Sequence, residues 1–244
     1  MVLALTVPVA MAVRAATPQD QATIAIPDAV VEPTPTPSVT PTVEVEEDEG
    51  PEPTPEQRPD PKKKAEPPRI PERGPGTWQT SRFAAESDRG DGRTVRVRVR
   101  VEKTLPIKAD DAAKEAAKIL HDDRSWQRSE NLRFDFVGSG DSADLTINIA
   151  TPATTDKNCL PARTGGELSC RNGNEVNLNA KRWLLGARAY GDDMENYRRY
   201  LVNHEVGHFL GHGHEGCPAA GERAPLMMQQ TKGVGKCKPY PWPN

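Results

Sequence analysis

From residue 94 onward the chain alternates between apolar and polar positions with two distinct periods. Residues 94–101 (TVRVRVRV) place Val95, Val97, Val99 and Val101 on one face and Arg96, Arg98 and Arg100 on the other. A period of two predicts a strand buried on one side. Residues 110–120 (DDAAKEAAKIL) are alanine-rich and open on two aspartates, which suits the positive N-terminal end of a helix. Alternation returns at 132–137 (LRFDFV), at 144–149 (DLTINI) after a Gly/Ser/Asp turn, and at 175–179 (EVNLN). From residue 192, DDMENYRRYLVNHEVGHFLG carries Met194, Tyr197, Leu201, His204 and His208 at helical spacing. Asp192 followed three residues later by Glu195 reads as a capping-box start. Strand, helix, three strands and a helix predict an α+β domain over residues 77–244.

Nothing before residue 77 has such periodicity. Of the 24 prolines, 15 fall between residues 17 and 76, where they remove backbone donors and favour extended chain. This stretch, 17–76, reads as a disordered Pro/Thr/Glu-rich linker with an acidic block at Glu44, Glu46, Glu47, Asp48 and Glu49. Residues 1–16 begin MVLALTVPVAMAV, too short to cross a bilayer but of the length of a secretory signal's apolar region, so they read as a signal or membrane-anchor remnant. Charge divides at the same place. Residues 1–76 hold 7 Lys/Arg and 13 Asp/Glu, while 77–244 hold 25 and 22. The domain is therefore only mildly basic, without the dense cationic stripe of a nucleic-acid binder. Its expected association is with the cell envelope, through the arm.

All four cysteines, Cys159, Cys170, Cys217 and Cys237, lie in the domain, and none forms a Cys-x-x-Cys pair. Two disulfides in an exported protein account for them more simply than a zinc ribbon does. Three connectivities are open; nearest-neighbour pairing, Cys159–Cys170 and Cys217–Cys237, is the one expected.

Four of the five histidines fall within HEVGHFLGHGH, residues 204–214. On a helix His204 and His208 leave the same face one turn apart, the spacing at which two imidazoles reach one ion at about 2.0–2.1 Å. Glu205 projects beside the first of them, placed to reach a water rather than the metal. Gly211 can adopt the left-handed conformation that ends a helix and turns the chain back. That turn would bring His214 to the ion as third ligand. Had the helix run on, His212 would complete a single stripe instead, but Gly211 and Gly213 on either side of it argue for a break. Three neutral imidazoles with a fourth position open to water are the pattern of a catalytic Zn²⁺ site.

The extended motif HExxHxxGxxH, here His204, Glu205, His208, Gly211 and His214, resembles that of the metzincin zinc peptidases. The stretch APLMMQQT (residues 224–231) resembles their methionine turn, with Met227 aligning best as the turn methionine and Met228 second. LRFDFVGSGDSADLTINIA is similar to the two strands before the active-site helix in the matrixin-like branch. Closer still, HEVGHFLGHGH, CRNG…VNLNAKRWLLG and MMQQTKG resemble an exported actinobacterial domain family without an assigned function, over about 94–244. The resemblance implies a zincin-like fold: a mixed twisted sheet, an active-site helix and a C-terminal Met-turn segment. It also implies a cleft between an edge strand and that helix, taking substrate in extended form. Two features depart from the metzincin pattern. No cysteine precedes residue 159, so a cysteine-switch propeptide is absent, and the turn lacks the tyrosine or proline that often follows it. Tyr190, Tyr197, Tyr200 and Tyr240 stand as equal candidates for stabilising an oxyanion.

The function expected is that of a secreted or surface-tethered, monomeric zinc endopeptidase acting on peptides or proteins, with Glu205 as general base. Its competitors are an amide hydrolase of cell-wall peptides and a non-catalytic zinc-containing surface module. An intact Glu205 weighs against the last, because a structural ion needs no base and takes a fourth protein ligand.

Overall fold

A computed structural model of the protein describes residues 68–243. The reading of residues 1–16 as a signal, and most of the 17–76 linker, lie outside the described residues. The alternating run forms β2 (Arg93–Glu102), and its four valines are buried. Two parallel neighbours flank it, β3 (Leu132–Phe136) and β4 (Leu145–Ala150). A short strand, β1 (Trp78–Thr80), pairs antiparallel with the last residues of β2. Beyond β4 lie β6 (Glu175–Asn179), parallel to it, and β5 (Cys170–Asn172), antiparallel to β6. The sheet is thus mixed and six-stranded, with β5 at one edge, an architecture compatible with α+β.

Register decides what each face of the sheet contains. Val99, Ile147 and Val176 align across three strands, as do Val101, Ile149 and Leu178. These apolar rows meet α1 (Ala109–Leu120) and α5 (Met194–Leu210) in the core cluster, which also holds Trp126 of the short α2 (Trp126–Ser129) and Trp183 of α4 (Ala180–Leu185). The alanines of α1 are what permit close helix–sheet approach. On the other face the aligned row is Arg100, Asn148 and Asn177. Arg100 Nε donates to Asn148 Oδ1 at 2.8 Å, and Asn148 Nδ2 to Asn177 Oδ1 at 3.0 Å. A helix that the periodicity did not announce, α3 (Pro152–Cys159), packs there, and Asn158 Nδ2 adds a 3.1 Å bond to Asn177 Oδ1. Burying these amides is tolerable because most of their polar atoms are paired, Asn177 Nδ2 being left without a partner.

Cys159 at the end of α3 is bonded to Cys170 of β5, and Cys217 to Cys237, the pairing expected. No described cysteine is free, which points to maturation in an oxidising environment. No helix among the described residues is long and apolar enough to cross a membrane.

Two local expectations need correction. The domain begins before Thr77: Glu72 O accepts from Ala153 N at 3.0 Å, Gly76 N donates to Glu102 Oε1 at 2.7 Å, and Ile70 packs on the core. Residues 68–76 include three prolines and form no helix or strand, so composition alone reads them as linker. The N-cap of α5 is Asp193 rather than Asp192. Its carboxylate accepts from Asn196 N at 3.0 Å and from Asn196 Nδ2 at 2.7 Å, while Glu195 turns to Lys118 and Arg199.

Candidate metal centre

Tertiary packing encloses the second half of α5 in spite of its polar residues, so Leu201 through Gly207 are all buried, His204 and Glu205 among them. The helix stops at Gly211, whose φ of 102° is left-handed. Gly211 N donates to His208 O at 3.2 Å and His212 N to Gly207 O at 2.9 Å, the paired bonds of a Schellman turn. A side chain would be strained at that φ. The reversal brings His214 back over the helix. Its ring centroid is 5.4 Å from that of His204 and 4.6 Å from that of His208, and the Nε2 atoms of His208 and His214 are 3.0 Å apart.

Backbone carbonyls orient the first two rings. His204 Nδ1 lies 2.9 Å from Leu226 O, and His208 Nδ1 lies 2.8 Å from His212 O. A carbonyl only accepts, so both Nδ1 atoms carry the proton and both Nε2 atoms present a lone pair. One donor nitrogen from each of the three rings fits within a 4.8 Å span. Burial holds His204 well down, to about 3, with the neighbouring His208 and His214 adding to the effect against the Leu226 carbonyl. Burial lowers His208 and His214 as well, helped by the charges of Arg171 and Lys232 respectively. All three are therefore neutral at neutral pH, the state a metal ligand requires.

Among the described residues Glu205 is the only carboxylate lining the same cavity. Its Oε2 is buried without a hydrogen-bond partner, and burial pushes the carboxyl up to about 8. An orphaned carboxyl beside three convergent imidazoles suits a divalent cation and a water, since no described residue satisfies its Oε2.

His212 faces elsewhere. Its ring stacks on Trp126 at 4.4 Å, and its Nε2 lies 2.9 Å from Glu130 Oε1. Its contribution to the centre is its carbonyl. Beneath the histidines runs the segment 224–231. Met227 is buried with its Sδ against Gly207, while Met228 is half-buried and gives its carbonyl to Tyr200 Oη at 3.1 Å. Tyr200 Oη also accepts from Gln230 N at 2.8 Å. Tyr190 donates to Gln230 Oε1, and Tyr197 pairs with Thr231 Oγ1. Of the four tyrosines only Tyr200 lines the cavity, a distinction that required the fold.

The cavity, about 500 Å³, lies between α5, the β5 edge and the loop before β5. Sequence reasoning missed most of its wall. Arg163, Arg171 and Lys232 carry no local signature, and the Leu226 carbonyl could not be seen at all. Gly207 and Tyr200 were visible, as a small residue inside the motif and an aromatic one turn before His204.

Fold and site together define a mixed α/β domain with three convergent imidazoles and a buried carboxyl in one cleft. Residues 65–241 match the family model DUF3152, described as protein of unknown function, and the chain belongs to that family. No curated protein and no solved structure matches it.

Proposed function

We propose that the domain is a zinc-dependent endopeptidase of metzincin type, acting outside the reducing cytoplasm, either secreted or held at the cell surface by the N-terminal arm. The observation that carries this reading is the buried, unpartnered Glu205 carboxyl beside three neutral imidazoles. His204, His208 and His214 would hold the ion. Zinc in such a site supplies Lewis acidity that brings the pKa of water to about 7.

The chain's own residues then divide the work. The carbonyls of Leu226 and His212 keep two imidazoles in the donor tautomer and fix their rings. A cation held by the histidines would favour the ionised form of Glu205 against the effect of burial. Glu205 then accepts the proton of the attacking water and returns it to the leaving amine, the role of a general base that becomes an acid. The β5 edge beside the cavity offers unpaired backbone groups, which suit an extended peptide. A purely structural ion is the weaker reading. The described cysteines are all in disulfides and His212 is committed to Trp126 and Glu130, so no fourth protein ligand presents itself.

The test is a peptide-library digest with the purified full chain, with and without chelator, alongside Glu205→Gln and metal analysis of both proteins. Cleavage should require metal and fall by about 10²–10⁴-fold in the variant, with zinc stoichiometry unchanged. Equal rates in the two proteins, or bound zinc without any cleavage, would overturn the peptidase reading.

A further inference from the structure

The cavity around the histidine cluster has an uneven charge distribution. Three cationic residues line it, Arg163, Arg171 and Lys232, against the single carboxylate of Glu205. The carboxylates close to the rim are committed elsewhere. Glu167 pairs with Lys181 at 2.6 Å and with Arg182. Asp156 accepts from Thr164 Oγ1 and from Gly166 N, and Glu130 from His212. Neither the Arg163 nor the Arg171 side chain has an ion pair or hydrogen bond among the described residues, and Lys232 Nζ reaches only the neutral Gln229 Oε1, at 2.9 Å. Glu167 is neutralised by its two cations and the other two acids are tied up in hydrogen bonds, whereas the cations of the wall are left for something else.

Placement makes these charges more than scattered surface residues. Arg171 is the middle residue of β5 and pairs with Val176, so its side chain lies on the face of the sheet that carries α5. Its charge is felt at His208, and that of Lys232 at His214. Arg163 sits in the loop between α3 and β5, next to Thr164, whose hydroxyl is tied to Asp156. That loop is held at its far end by the Cys159–Cys170 disulfide and by Asn179, which donates to Gly166 O at 2.9 Å. The backbone that carries Arg163 and Arg171 is therefore held in place before a ligand arrives, which reduces the ordering cost of binding.

We propose that this wall makes the site selective for acidic peptides, those carrying Asp or Glu side chains within a few residues of the bond held at the histidine cluster. The inference rests on the peptidase reading for its reaction but on the cavity's charge for its selectivity. A one-signed field in a partly enclosed cleft raises the local concentration of an oppositely charged ligand and disfavours a like-charged one.

The test uses the full-length, zinc-loaded protein and a matched set of fluorescent peptides with neutral, acidic or lysine-bearing side chains. Each is made with a free and with an amidated C-terminus, so that an α-carboxylate is distinguished from a side chain. Binding is read by anisotropy and cleavage by kcat/KM. Acidic peptides should be preferred over neutral ones by about tenfold or more, with or without the amide. The preference should shrink from low salt to 0.5 M salt, as screening demands, and should be largely lost in Arg171→Glu, which leaves two cations facing two carboxylates. The salt series needs no variant, so a misfolded substitution leaves the test intact. Cleavage without acid preference overturns this inference and leaves the peptidase reading standing. Acid-selective binding without cleavage supports this inference and overturns the peptidase reading. Preference that follows only the free C-terminus, or equal binding of acidic and lysine peptides, overturns it outright.

Discussion

Gly207 and Met227 are packed so closely that no side chain fits between them. A Cβ on Gly207 would lie 2.5 Å from Met227 Sδ and 2.7 Å from Trp126 Cζ2. The indole has little freedom to withdraw, because its Nε1 donates to Asn203 O at 2.8 Å and its face stacks on His212. This glycine sits between the two helical histidines, and its bareness lets the 224–231 segment rise close enough for Leu226 O to meet His204 Nδ1.

Gly207→Ala is the first prediction. In an ordinary helix interior the change would stabilise by up to about 1 kcal/mol. Here overpacking should destabilise by about 1–3 kcal/mol and displace the Leu226 carbonyl, weakening metal retention. Thermal unfolding and metal analysis of the variant check both, and a rise in Tm would show that Met227 and Trp126 give way.

The second prediction separates the two outer histidines. His214→Ala should lose the metal, because two imidazoles hold it poorly. His212→Ala keeps the carbonyl that orients His208 and should retain the ion, losing only the stacking on Trp126 and the contact with Glu130. Metal stoichiometry after gel filtration distinguishes them, and the opposite pattern would make His212 the ligand.

Glu102 gives a pH prediction. Burial opposes its charge, but bonds from Thr151 N, Gly76 N and the Thr154 hydroxyl outweigh that, and its pKa lies below the ordinary carboxylate value. A carboxylate with a depressed folded pKa stabilises above its unfolded pKa, and that stability is lost as pH falls through the folded value. Urea unfolding should therefore show an acid limb below about pH 4.5 that flattens in Glu102→Gln. At neutral pH the variant should be less stable by roughly 1–3 kcal/mol, because an amide cannot accept all three donors. A chain starting at Thr77 should lose part of the same stability, since Gly76 and Ile70 go with it.

The two disulfides should fail differently. Cys217–Cys237 spans 20 residues that include the segment 224–231, and in the chain-entropy model such a loop is worth about 3 kcal/mol. Cys217→Ser with Cys237→Ser should lower Tm and zinc retention together. Cys159–Cys170 ties α3 to β5 and the cavity rim, so Cys159→Ser with Cys170→Ser should weaken peptide binding while zinc stays bound. Metal content and peptide anisotropy on both double variants decide the matter; equal zinc loss in the two would remove the distinction.

What the sequence determined by itself is what depends on neighbours within a turn or a strand. The alternation at 94–101 is enough to bury four valines, because side chains in a strand point alternately to its two faces. The i, i+4 spacing of His204 and His208 and the glycine at 211 are enough to aim two imidazoles and reverse the chain, because helix period and left-handed φ are local properties. The three-residue strands β1 and β5 are too short to show a period, and α3, rich in Thr and Asn, has no apolar stripe. Their places came from pairing partners far along the chain. Tertiary structure alone decided that residues 68–76 belong to the domain and that Asp193 caps α5. It also decided that Leu226 orients His204, that Met227 needs Gly207, and that Arg163, Arg171 and Lys232 face one cavity while Glu167 turns away. Each of these joins segments whose approach is set by sheet register and packing density, and no residue type or spacing encodes that approach locally.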